Sequence, residues 1–153
     1  MAAARRALLP LSAAVLLLGG CGTVDLGDNI VPPDLALDED FFFCNIQPNV
    51  LTMYSCAGGE GGEGGSCHTA QSALRLVDTT EPAPCDVDGN VIGAVPLAYR
   101  SNLDAVRFTI QSDPLSSPFY RRPIGLASHP RVIFEEGSPP AELIVEWLSS
   151  DRD

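Results

Sequence analysis

Two cysteines and a histidine stand in an order with a specific chemical use: Cys56, ten intervening residues, then Cys67 followed at once by His68. In c-type attachment two thiols add to the two vinyl groups of haem, and the histidine beside the second thiol becomes the proximal iron ligand; Cys-x-x-Cys-His is the compact form. Here the extra length is largely glycine, since Gly58–Gly65 holds Glu60 and Glu63 as its only other residues. Ordered glycine loses more backbone entropy than any other residue, so this stretch reads as a flexible loop that can bulge out and still return Cys56 to a porphyrin edge. The other axial ligand has to come from elsewhere. Met53 falls in a predicted helix and no methionine follows it, which leaves His129, the only other histidine, and points to a bis-histidine or five-coordinate iron. Without a methionine ligand the reduction potential is lower, because the Met/His pair is the arrangement that raises it.

The same cysteines admit a second use. With Cys21 set aside as an anchor, Cys44, Cys56, Cys67 and Cys85 form an even set, and disulfides are expected in an oxidising compartment. Cys56–Cys67 would close the glycine loop, stabilising by roughly 3 kcal/mol through chain entropy. Four thiols allow three pairings, and Cys44–Cys85 is the preferred bridge with or without haem. In the haem-free case His68 is a surface or capping residue and His129 a turn residue before Pro130.

Other chemistry finds less support. Asp86, Asp88 and Asn90 imitate the first positions of a calcium loop, but Val91 stands where glycine is needed and Leu97 where a bidentate glutamate is needed, so a turn at Asp88–Asn90 is expected. The cysteine spacings fit no usual zinc pair. No Gly-x-Ser-x-Gly elbow exists, and adjacent Ser128 and His129 cannot face each other as nucleophile and base, so the chain does not read as an enzyme. Arg121 and Arg122 could take a haem propionate bidentately or pair with local acids.

Composition narrows the partners. Nine arginines and no lysine among 153 residues exclude Schiff-base and phosphate-loop lysine chemistry. Twenty acids argue against a nucleic-acid surface, which needs clustered cations, and favour a partner with a basic surface. Residues 1–20 carry Arg5 and Arg6, an apolar run and then Leu18-Gly19-Gly20 before Cys21, which resembles the lipobox of a bacterial lipoprotein signal. The run of about twelve apolar residues, broken by Pro10, is short of the ~20 that span a membrane. Lipidation of Cys21 would attach the chain to a membrane in the cell envelope. Gly22 in the following position favours the outer membrane, facing the periplasm, over retention in the inner membrane. Residues 21–37, interrupted by Asp25, Asp28, Pro32 and Pro33, read as a tether, and residues 38–153 as one domain.

These residues must be positioned by few regular elements. Acids at Asp38–Asp40 precede Phe42, Phe43, Ile46, Val50, Leu51 and Tyr54 at helical spacing, with Pro48 predicting a kink or break. Ser138 as cap and Pro139 at the first position open a helix with Leu143, Ile144, Trp147 and Leu148 on one face. These two helices are expected to cross, Trp147 packing on the Phe41–Phe43 cluster. Asn102–Ile110 reads either as a helix capped by Asn102 or as a short strand. Six prolines between Pro114 and Pro140 predict a mostly irregular strap over residues 112–140.

Taken together, FFFCNIQPNVLTMYSC, the later SCH, SALRL, SDPLSSPFYRRPIGLASHP and AELIVEWL resemble cytochrome c-like domains of the planctomycete and myxobacterial type, over about residues 40–149. The attachment motif departs from theirs by its longer spacing. The resemblance implies a mainly α, small cytochrome c-like helical domain with long Gly/Pro-rich loops, acting in one-electron transfer. It also implies covalent haem c on Cys56 and Cys67, with His68 proximal and His129 distal. The alternative is a haem-free, disulfide-stapled envelope lipoprotein that serves as a binding or structural module.

Overall fold

The structure, a computed structural model, describes residues 36–58, 68 and 73–150. It is mainly helical. Among the described residues no helix is long and apolar enough to cross a membrane. The signal segment, Cys21, most of the tether and Cys67 lie outside the described residues; Leu37, at the end of the tether, is buried in the core.

The Asp38 carboxylate accepts the Phe41 N–H at 2.7 Å and caps α1, Glu39–Phe41. This turn runs directly into an eleven-residue π-helix, Phe42–Thr52, with Pro48 inside it. The expected kink or break at Pro48 is therefore replaced by a change of winding. In α register the proline ring would press on the carbonyl of Cys44, four residues back, and the wider turn moves that carbonyl away. The same winding suits the apolar pattern. Phe42, Ile46 and Val50, and beside them Phe43, Gln47 and Leu51, are buried at steps of four. In an α-helix such a step overshoots one turn by about 40°, and looser winding reduces the drift.

The π-helix ends in a Schellman arrangement: Cys56 N–H reaches Leu51 O at 2.9 Å and Ser55 N–H reaches Thr52 O at 3.0 Å. Ser55 occupies the left-handed position, φ +51°, that glycine usually fills.

Helix α2, Leu97–Arg107, follows Pro96. Asn102 is not its cap but lies in its middle, fully buried, so both the capped-helix boundary and the strand alternative are corrected. The reason is visible in the spacing of Tyr99, Asn102, Leu103 and Val106, which forms one buried face from the first turn onward. The strap contains a 3₁₀ turn, Pro114–Ser116, and a short α3, Pro118–Arg121. Helix α4, Pro139–Ser149, begins where expected, although the Ser138 hydroxyl donates to Glu135 O and does not cap it.

The core sits where the π-helix meets α4. Trp147 is fully buried, its ring centroid 5.0 Å from that of Phe42 and 6.0 Å from that of Phe119, and its indole N–H donates to Asp38 O at 2.9 Å. Cys44 on the π-helix is joined to Cys85, 41 residues on, with Cα atoms 5.9 Å apart. Beside that bridge the Asp86 carboxylate accepts the Asp88 and Asn90 N–H groups, at 3.0 and 2.8 Å, and Gly89 turns the chain at φ +83°. This is the turn expected there. Its acid is engaged with its own backbone, which holds that carboxyl below the usual range.

Candidate functional site

A cavity of about 310 Å³ opens beside the second half of the π-helix. Val50, Leu51, Leu76, Phe119, Ile133 and Phe134 give it an apolar wall. Cys56, His68 and His129, three residues singled out by the sequence, all line it. Cys67 lies outside the described residues, so the second thiol of the motif has no described place. Cys44 and Cys85 are joined to each other away from the cavity.

Each of the three is delivered by a different device. The Schellman turn after the π-helix places Cys56 on the cavity wall, its Sγ 3.8 Å from Val50 O. His68 is held at two points by the segment that follows it: the Leu76 N–H donates to His68 O at 2.8 Å, and the His68 Nδ1–H donates to Leu74 O at 3.1 Å. His129 sits on a loop closed by Ile133 N–H to Pro123 O at 2.7 Å, and its Nδ1–H donates to Arg131 O at 2.6 Å. That loop leaves α3 through a second Schellman turn, Leu126 N–H to Arg121 O at 2.9 Å and Gly125 N–H to Arg122 O at 3.1 Å. Glycine is required at its corner. Gly125 has φ +82°, and a Cβ there would lie 2.8 Å from Val132 Cγ2.

The two imidazole rings face each other with centroids 6.0 Å apart and planes 25° apart. A carbonyl can only accept, so in each ring Nδ1 carries a proton. Comparison with family models, curated proteins and solved structures finds no match to this chain. What the site can do follows from its own side chains.

Burial lowers the pKa of His68; its bond to Leu74 O opposes that, and the charges of His129 and Arg122 lower it further. A neutral imidazole with its Nδ1–H on a carbonyl is the form in which histidine binds a metal. Of the two arginines considered as carboxylate ligands, Arg122 lines the cavity, whereas Arg121 turns its guanidinium to Leu126 O at 3.2 Å. The sequence reading missed Arg131, which also lines the cavity; Tyr54, expected only as an apolar helical position, lies on its wall with its ring 5.2 Å from that of Phe134. No periodic signal marks Arg131. Arginine two positions from a candidate ligand is the only hint the sequence offers.

Proposed function

We propose that this chain is a lipid-anchored envelope protein that carries one covalent c-type haem and transfers single electrons. The observation that carries the reading is the convergence of His68 and His129 on one apolar cavity, each with its Nδ1–H given to a backbone carbonyl. The residues at hand are the imidazoles of His68 and His129, the Cys56 side chain on the wall, and Arg122 and Arg131 for carboxylates. Haem bound there supplies a reversible one-electron couple. The chain's own residues exclude water through Leu76, Phe119 and Phe134, orient the imidazoles through backbone carbonyls, and lower the His68 pKa by burial.

On this reading Cys56 and Cys67 are the thioether sites, Cys21 bears the lipid in the outer membrane facing the periplasm, and the partner is a redox protein with a basic surface. The cytochrome c-like resemblance belongs to the same proposal. The alternative is a haem-free stapled lipoprotein that binds another molecule in this cavity; the Cys44–Cys85 bridge is compatible with both readings. An absorption spectrum and a denaturing-gel haem stain, on protein made with a c-type maturation system active, decide between them. A reducible Soret band that survives denaturation is expected; a colourless protein overturns the haem reading.

A further inference from the structure

The segment that holds His68 is itself held from the far side of the fold. Asn102 Oδ1 accepts the Val77 N–H at 2.7 Å, and Asn102 Nδ2 donates to Val77 O at 3.0 Å, so one side chain engages both backbone groups of one residue. The same Nδ2 donates to Gln47 Oε1 at 2.9 Å, and Gln47 Nε2 donates to Thr52 Oγ1 at 3.2 Å. Asn102 and Gln47 are both buried. Every polar atom of the Asn102 carboxamide therefore has a partner, and those partners belong to the two walls of the cavity: the π-helix that leads to Cys56 and the segment that follows His68. A buried amide with this set of bonds is costly to replace, because removing it leaves the Val77 and Gln47 groups unsatisfied.

We infer that Asn102 is a positioning residue for His68: by clamping Val77 it fixes the Leu74 carbonyl that accepts the His68 Nδ1–H bond. Asn102 touches neither imidazole. It acts through the backbone from Leu74 to Val77, which carries the acceptor for the ring and the donor for the His68 carbonyl. The inference rests on the reading of His68 as an axial ligand, yet its test needs no haem.

The ¹⁵N chemical shifts of the His68 ring in the haem-free mature chain report which nitrogen is protonated. Wild-type protein is expected to show the Nδ1–H tautomer alone at neutral pH. Asn102→Leu is expected to give a mixture of the two tautomers at His68 while His129 keeps its own. Val106→Ala, a truncation of the core on the same helix, should lower stability and leave the His68 tautomer as it is. A single Nδ1–H tautomer in Asn102→Leu overturns the proposal, as does a mixture in Val106→Ala, which would reduce the effect to general loosening. Where Asn102→Leu does not fold, Gln47→Met removes the clamp's anchor while keeping the side-chain length, and an unchanged His68 tautomer there overturns the proposal equally. A negative haem stain beside a shifted tautomer removes the ligand reading and leaves the clamp standing.

Discussion

The two halves of the π-helix meet different surroundings. Its first half, Phe42, Phe43 and Ile46, is pressed against rings: Trp147 on one side and Tyr99 at 6.5 Å from Phe43 on the other. Its second half, Val50 and Leu51, faces the cavity, where both imidazoles come from loops tied by individual hydrogen bonds. The first half is held by area, which tolerates small shifts; the second is held by direction, in which a single donor or acceptor sets where a ring points. Stability and chemistry are thus lodged at opposite ends of one helix, and each can be disturbed with limited harm to the other.

The widest separation of the two comes from Trp147→Ala. It empties the core and removes the indole N–H bond to Asp38 O, and should cost about 5 kcal/mol, read as a fall in chemical-denaturation midpoint. Replacing both Cys44 and Cys85 by serine should cost about 4 kcal/mol, the loop-closure entropy of a bridge spanning 41 residues, in the same measurement. Gly125→Ala acts at the other end. Forcing a Cβ into left-handed backbone against Val132 should cost about 2 kcal/mol and displace the His129 loop, changing the His129 ring shifts more than those of any core residue. Ser55→Gly should do the reverse beside Cys56, raising stability by about 1 kcal/mol by relieving a left-handed serine.

The smallest effect is one of pH. Because burial depresses the His68 pKa in the folded chain, the folded state resists protonation that the unfolded chain accepts at about 6.5. Its contribution to stability is complete above that value and is lost as pH falls from there through the folded pKa. His68→Gln should flatten this part of a stability-against-pH curve.

The core was legible because burial leaves a period. Phe42 to Leu51 and Leu143 to Leu148 announce themselves by spacing alone, and the winding around Pro48 changed the kind of helix without changing which residues it buries. Asn102 was misread for a physical reason. A polar residue favoured at caps was taken for one, while Tyr99, Leu103 and Val106 around it already carried the helical period. The site was legible only as a set of residue types. Cys56, His68 and His129 could be named from their chemistry, but their meeting depends on Gly125, Leu74 and Val77, loop positions whose part is played by φ angles and backbone bonds that leave no pattern in the sequence.

The bridge between Cys44 and Cys85 also sets a problem of order. After Cys21, a chain made from its N-terminus presents Cys44, then Cys56 and Cys67, and only last Cys85. The native pairing skips both intermediate thiols, so a chain oxidised in the sequence of its emergence pairs wrongly and must exchange before it can fold. Where oxidation keeps pace with synthesis, pairing therefore depends on the order of arrival as much as on the folded structure, because the partner for Cys44 is the last cysteine to arrive.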